Sequence, residues 1–437
     1  MRKIAAITFG CKINQYETSC VIDSFVKHGY ELTEFDQPAD IFIINSCTVT
    51  NRTDQKSRTA LRKALKWKEI NPHTVVVITG CYAQRNYDEI AALGDIDLIV
   101  DNNKKDKIYD LVDAITDHKI AKKEYFEDIL SQENFSELST TNLPERSRAF
   151  VKVQDGCDYY CTYCAIPFAR GHSRSRDPEK VLKQIKLLVE NGYHEFVLAG
   201  INLGLYGQEK DGNYHLVDLL EDIEAIEGVE IIRLSSVEPQ LFSDKLLDFF
   251  RRSKKMAHHF HIPLQSGSDT ILEKMERKYT SNFFKKNLDN IYKIYPDAAI
   301  GIDLIVGFPG ETEELFKETY TFLENLDFTY LHLFSYSKRS GTPAAAMSNQ
   351  IHGDEKKRRI NLLHELSNRK TEEYLNKIIA EKTTLKGVIE HRKDDQISTG
   401  LSDHYIRFYV KEKLPQRSVI NMEIFGKYSD GVEVKVI

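Results

Sequence analysis

No stretch of this 437-residue sequence is apolar for long enough to span a bilayer, so neither a membrane-embedded role nor a membrane partner is expected. The opening MRKIAAITFGCKINQYE has only a short apolar stretch and reads as a first β-strand rather than a secretory signal. A cytoplasmic protein is the expectation. A strong charge of one sign is also missing: 60 Lys and Arg against 66 Asp and Glu leave a net −6. Any contact with nucleic acid must therefore come from local basic patches. Candidates are Lys356-Lys357-Arg358-Arg359 with Arg369 and Lys370, then Arg58, Arg62 and Lys63, and then Arg170, Arg174 and Arg176. Taken singly, such runs are also what solvated helix faces look like. Internal repeats and low-complexity tracts are absent, and 41% hydrophobic with 29% charged residues excludes wholesale disorder.

Cysteine stops at Cys164. The seven present are Cys11, Cys20, Cys47, Cys81, Cys157, Cys161 and Cys164. An odd count in a long chain without a signal argues for metal ligands or reactive thiols rather than a disulfide framework.

The length suggests two to four domains, and the patterning divides the chain into segments. Short apolar runs at Ile4–Phe9, Ile41–Asn45, Val75–Thr79 and Leu98–Asp101 alternate with helical periodicity at Tyr16–His28, Thr53–Glu69 and Lys104–Ala114. This predicts βαβ units on a parallel, Rossmann-like sheet over 1–121. A polar stretch, 122–145, reads as a linker. Over 146–372 the alternation resumes, with strands expected at Phe150–Val153, Glu195–Ala199, Ile231–Ser235, His259–Pro263, Ile300–Val306 and Tyr330–Phe334. Six such units predict a partial (β/α)6, TIM-like barrel with its chemistry at the carboxyl ends of the strands. A charged helix at Asp354–Ile379 leads to 373–437, where TTLKGVIE, HYIRFYV, SVINMEIFG and GVEVKVI predict a small antiparallel β-barrel, a frame that often binds nucleic acid.

Cys157, Cys161 and Cys164 form C-x3-C-x2-C in DGCDYYCTYCAIPFARG, directly after the first barrel strand. Three thiolates on a tight loop can hold three irons of a [4Fe–4S] cluster, leaving the fourth iron open to chelate S-adenosylmethionine. The competing reading is structural zinc, which would want a fourth ligand; His172 follows only loosely. Tyr163 could cover the cluster near the adenosine, or simply pack. Cys11, Cys47 and Cys81 lie far apart in sequence, yet each falls just after an expected strand. Residues beyond the carboxyl ends of parallel strands converge on one crevice, so these three thiols are expected to meet. Cys20 lies on a helix in phase with Tyr16 and Asp23 and reads as structural.

The C-x3-C-x2-C loop on a partial barrel resembles the radical S-adenosylmethionine superfamily. The strand ends match in order: LAGINLG with Gly200 and Asn202, SSVEP with Ser235 and Glu238, PLQSG with Gln265, and GIDLIVGFPG with Asp303. The two cysteine sets and the small C-terminal barrel together resemble the methylthiotransferases over the whole chain. The resemblance implies that Cys11, Cys47 and Cys81 bind an auxiliary [4Fe–4S] cluster carrying the transferable sulfur. It implies that Cys157, Cys161 and Cys164 bind the cluster that cleaves S-adenosylmethionine, and that the last domain is a TRAM-like RNA-binding module. TFGCKINQYETS and INSCTVTNRTDQKSR are similar to the branch acting on N6-threonylcarbamoyladenosine at position 37 of tRNA. Carbon 2 of adenine offers polar catalysis little purchase, and the resemblance implies that a 5′-deoxyadenosyl radical activates it before it captures a methylthio group. Arg277, Gln265 and Asp303 are the expected polar contacts inside the barrel. The expected partners are the tRNA anticodon loop and a reduced flavodoxin- or ferredoxin-like electron donor, with a monomeric chain. Methylthiolation of isopentenyladenosine tRNA or of a ribosomal-protein side chain stays open as an alternative. A non-enzymatic iron–sulfur or zinc RNA-binding protein is a more distant one.

Overall fold

A computed structural model of the chain describes residues 1–437 apart from 118–122, 144–145, 211 and 393–395. It divides into two compact units. The first comprises Met1–Asn142, Gln154–Arg176 and Ser337–Ala345; the second comprises Leu143–Val153, Asp177–Tyr336 and Ala346–Ile437.

In the first unit, apolar runs bounded by helix-periodic stretches become parallel strands. These are β1 (Lys3–Thr8), β2 (Glu31–Thr33), β3 (Ile41–Ser46), β4 (Val75–Gly80), β5 (Leu98–Val100) and β6 (Lys123–Tyr125). They form one sheet in the order β2-β1-β3-β4-β5-β6, every pair parallel. Every residue of β3 and β4 is buried, as expected of parallel strands covered on both faces. Phe42, Ile44, Val76 and Ile78 pack on Leu61 and Ala64 of the helix Asn51–Ile70. The strand order reverses between β1 and β3, the place where doubly wound sheets open a crevice. β2 and β6 escaped the sequence reading because ELT and KEY, unlike the equally short LIV of β5, carry no apolar run.

The expected linker needs correcting. Its ends, Lys122 and Glu145, lie outside the described residues, but the chain between them is a strap held to the first unit. It supplies β6, and its backbone accepts a bond from Tyr16 at Leu138 (3.0 Å). Thr140 donates to Asp23 (2.8 Å), and Arg176 donates to Glu137 (3.0 Å). Composition misled here because polar pairing, rather than apolar burial, holds the strap down.

In the second unit, β7 (Ala149–Lys152) opens the barrel; the next strands, β8 (Gln154–Asp155) and β9 (Arg174–Ser175), pair with each other in the first unit. The barrel continues with β10 (Glu195–Ala199), β11 (Ile231–Leu234), β12 (His259–Gln265), β13 (Ala299–Val306) and β14 (Tyr330–Ser335). They form two parallel sheets, β11-β10-β7 and β12-β13-β14, joined at the Ile232–Met256 bridge. Phe196, Leu198, Ile232, Ile262, Ile302 and Leu304 face the helices in one core, so the alternate positions line the lumen.

The helix Gly353–Ala380 runs unbroken through the domain boundary expected at 372–373. It leads to β15 (Thr384–Arg392), β16 (Ser398–Ser402), β17 (Arg407–Val410), β18 (Val419–Tyr428) and β19 (Gly431–Val436), a closed barrel in the order β15-β16-β17-β19-β18. The expectation of a wholly antiparallel barrel fails at one seam, since β17 and β19 pair in parallel. This barrel also plugs the lumen of the larger one. Tyr405 stacks on His259 (4.4 Å), and Arg233 donates to the carbonyls of Ser402 (2.9 Å) and Asp403 (3.0 Å) while pairing with Glu195 (2.8 Å). No described helix is long and apolar enough to cross a membrane.

Candidate active site

Cys11, Cys47 and Cys81 follow β1, β3 and β4, the strands at and beside the switch in strand order. Their thiols act on one another: Cys81 and Cys11 both push the Cys47 pKa up, after burial, to about 12. Burial raises Cys11 too; Arg170 opposes this and Cys81 adds to it. The turns are built for close approach. Gly10 has φ +98°, and a Cβ there would lie 2.5 Å from Cys47 Sγ. Gly80 has φ +99°, and a Cβ there would meet the Ser46 carbonyl at 2.2 Å. Only glycine satisfies both the backbone angle and the space. Cys20, buried on the helix Lys12–Lys27, stands apart as expected. All seven cysteines are free.

Cys157, Cys161 and Cys164 sit on the loop between β8 and β9, in the same compact unit. The Cys157 N–H donates to the Gly171 carbonyl (3.1 Å), and the Cys164 N–H donates to the Cys161 carbonyl (2.8 Å). Tyr160, between the first two cysteines, holds φ 49°, a left-handed turn within this loop. His172, the loose candidate for a fourth ligand, is exposed, with its Nδ1 2.6 Å from Asp158.

Beneath the thiols lies a buried charge network that sequence reading missed. Arg170, wholly buried, donates to Glu17 (3.0 Å), Asp155 (2.9 Å) and Asn14 (2.6 Å). Lys105 pairs with the same Glu17 and donates to Asn45 (3.2 Å). Two cations thus meet two carboxylates. Asp155 and Arg170 flank the second cysteine loop, while Asn14, Glu17 and Asn45 belong to the elements that carry Cys11 and Cys47, so one network supports both sets. Arg85 feels the charges of both Cys164 and Cys81, though burial, the larger effect, lowers its pKa.

Residues 151–323 match the radical S-adenosylmethionine superfamily, and 3–101 match an uncharacterized protein family, UPF0004. The threonylcarbamoyladenosine tRNA methylthiotransferase MtaB of Bacillus subtilis is 40% identical over 414 residues, covering 94% of this chain and 91% of the relative. The chain belongs to the radical S-adenosylmethionine methylthiotransferases. A tRNA-2-methylthio-N6-dimethylallyladenosine synthase of Natranaerobius thermophilus is 32% identical, covering 93% of this chain and 91% of the relative. Among solved structures, the radical S-adenosylmethionine methyltransferase TsrM of Kitasatospora setae aligns with TM-score 0.58 at 14% identity, covering 79% of this chain and 74% of that one. That likeness speaks for the fold alone. Methylthiotransferases are enzymes that use S-adenosylmethionine and two [4Fe–4S] clusters, and two sets of three thiols suit that need.

The remaining expected residues of this methylthiotransferase lie at the strand ends of the second unit. Among the described residues, Ser235, just past β11, has a buried hydroxyl with no hydrogen-bond partner, and both amide atoms of the nearby Gln240 are likewise unpartnered. Buried polar atoms without partners suit a site built for a polar ligand. Glu238 pairs with Arg277, which also donates to the Tyr279 hydroxyl (3.0 Å). Burial raises the Glu238 pKa; Arg277 offsets this, and Asp303 pushes it up further. Asp303 lies 2.8 Å from His261 Nε2 and 3.5 Å from His332 Nδ1, and the two imidazoles hold its carboxyl well below the usual range despite burial. Gln265 takes φ 65° at the register shift ending β12. Asn202 is buried, Gly200 half-buried, and Tyr163 half-buried on the cysteine loop of the first unit.

Two expected phosphate sites need correcting. Arg170, Arg174 and Arg176 are all buried in internal pairing, with Arg174 donating to the Arg170 carbonyl (2.8 Å). Of the basic run Lys356–Arg359, Arg358 pairs with Glu355 and Glu313, Arg359 is buried against Glu311, and Lys356 donates to the Tyr336 carbonyl. Carboxylates and backbone carbonyls take up the first run, and in the second only Lys357 stays exposed without such a partner among the described residues.

Proposed function

We propose that this methylthiotransferase adds a methylthio group to C2 of N6-threonylcarbamoyladenosine at position 37 of tRNA. The observation that carries the reading is the convergence of Cys11, Cys47 and Cys81 in one compact unit with the Cys157, Cys161 and Cys164 loop. The substrate branch rests on the 40% identity to threonylcarbamoyladenosine enzymes, against 32% to a dimethylallyladenosine synthase. Cys157, Cys161 and Cys164 hold the cluster that engages S-adenosylmethionine; Cys11, Cys47 and Cys81 hold the auxiliary cluster. When bound, these groups supply the carbon-centred radical, the methyl group and the sulfur.

The protein's own residues bind, orient and shield. Gly10 and Gly80 let the backbone close around the first cysteine set, and the Arg170 network fixes the second loop. Ser235, Glu238, Arg277, Gln265, Asp303, Gly200 and Asn202 contact S-adenosylmethionine or the base, with Tyr163 close to the adenosine. By role, 1–121 carries the auxiliary cluster, 146–372 the radical chemistry and 373–437 the RNA contact, with 122–145 as the strap between them. Five-stranded barrels present loops and one face to oligonucleotides, which supports the last assignment. We read the chain as a cytoplasmic monomer reduced by a flavodoxin- or ferredoxin-like donor.

The test is anaerobic. Reconstituted protein, S-adenosylmethionine and a strong reductant are incubated with tRNA carrying threonylcarbamoyladenosine, and the nucleosides are weighed by mass spectrometry. A gain of one methylthio group is expected. Formation of 5′-deoxyadenosine with an unchanged nucleoside would refute the substrate and direct the assay to isopentenyladenosine tRNA.

A further inference from the structure

In the first unit, β2 crosses β1 to reach β3 through residues 34–40 alone. A parallel crossover ordinarily takes a dozen or more residues and lays a helix over the sheet. Without that helix, the sheet stays open beside the helix Asn51–Ile70, and a cavity of about 620 Å³ lies there. Its floor is apolar: Ile7 and Phe9 from β1 and its end, Phe35 from the loop after β2, and Ala60 of the helix. Phe35 packs edge-on against Phe42 (5.3 Å), which fixes its ring. The volume falls in the roughly 300–1,000 Å³ range of small-ligand sites.

The wall is a helix face. Arg52, Lys56, Thr59 and Lys63 recur at helical spacing and line the cavity. Among the described residues, no hydrogen bond or ion pair engages the cationic heads of Arg52, Lys56 or Lys63. Arg58 on the same helix differs, being bound to Glu89 (2.9 Å). Three unengaged cations above aromatic rings suit a phosphate-linked base. Glu34 and Asp36 also line the cavity and can accept from ribose hydroxyls and base amino groups, and their charge disfavours a ligand that is anionic throughout.

We propose that this pocket holds a single-stranded nucleotide of the RNA substrate other than the reacting one, its base over Phe9 and Phe35 and its phosphates against Arg52, Lys56 and Lys63. The inference rests on the RNA-modifying reading and adds a subsite to it. Phe9 lies two positions before Cys11, so the subsite adjoins the first cysteine set along the chain.

The test measures binding of the full-length, cluster-loaded chain to an anticodon stem-loop RNA across a salt series. Arg52→Ala/Lys56→Ala/Lys63→Ala should raise Kd about tenfold or more near physiological salt and reduce the slope of log K against log salt by about two. Phe35→Ala should raise Kd at least about fivefold through lost stacking. Cleavage of S-adenosylmethionine without RNA, and the melting temperature of the triple variant, should stay as in the wild type. Wild-type Kd and salt slope in both variants would overturn the pocket, and would leave an acidic protein segment as the occupant to try. A wild-type chain that binds no tRNA would instead refute the RNA reading itself.

Discussion

Both compact units bury arginine–carboxylate pairs, but the second adds a buried histidine set between carboxylates. In the first, Arg170 meets Glu17 and Asp155, Lys105 meets the same Glu17, and no histidine joins them. In the second, the hairpin that plugs the barrel is held by Arg233 and also by histidine: His404 lies 2.7 Å from Asp403 and 3.0 Å from Asp297, which also accepts from His258 (3.2 Å). A fixed network suits the floor of a site that holds reactive groups in register. A titratable one makes the seating of the plug depend on pH.

The largest effects expected separate the two cysteine sets within the first unit. Replacing Cys157, Cys161 and Cys164 with alanine should abolish 5′-deoxyadenosine formation altogether. Replacing Cys11, Cys47 and Cys81 should leave it measurable while abolishing methylthio transfer, both read by mass spectrometry. Transfer by the second triple variant would show that the scattered set holds no sulfur-bearing cluster.

The next prediction concerns the fixed network. Arg170→Met leaves Glu17 and Asp155 sharing one cation, a loss of about 3–5 kcal/mol for a broken buried pair. Urea unfolding should show that loss still present at pH 9, because the buried carboxylates are then ionised without their cation, and a loss that vanished there would erase the contrast between the units.

The titratable network should behave otherwise. Burial alone lowers the His404 pKa, but Asp403 and Asp297 overcome it and raise the value from 6.5 to about 9. A group whose folded pKa is raised contributes stability that is full below its unfolded pKa and lost as pH rises through its folded pKa. The wild type should therefore exceed His404→Gln by up to about 3 kcal/mol below pH 6.5, and the advantage should fade through about pH 9. A gap independent of pH would mean that His404 acts by packing alone. The smallest effect expected is at Ser235. Since its hydroxyl has no partner to lose, Ser235→Ala should leave the melting temperature unchanged and weaken S-adenosylmethionine binding by about 1 kcal/mol, roughly fivefold, by calorimetry.

Much of this was legible in the sequence. The six barrel strands fall within two residues of their expected ends, because apolar runs between helix-periodic stretches leave little choice of period. The meeting of Cys11, Cys47 and Cys81 was legible for a topological reason, since parallel strands put their carboxyl ends on one edge. β2, β6 and β16 were not. The first two carry no apolar run, and STGLS in β16 has no apolar alternation; hydrogen bonding to neighbours, rather than pattern, makes them strands.

What the sequence by itself determined is the inventory: two sets of three thiols, the glycines beside Cys11 and Cys81, the barrel strands and the small C-terminal barrel. Each follows from local period, spacing or backbone freedom. The tertiary structure alone decided which charges are spent. Arg170, Arg174 and Arg359 looked available for phosphate in sequence, but carboxylates far along the chain neutralise the first and last, and backbone carbonyls take up Arg174. Among the described residues, nothing engages Arg52, Lys56 and Lys63 beside an open sheet face. Pairing between distant residues leaves no local signature, so no window of sequence could tell the two groups apart.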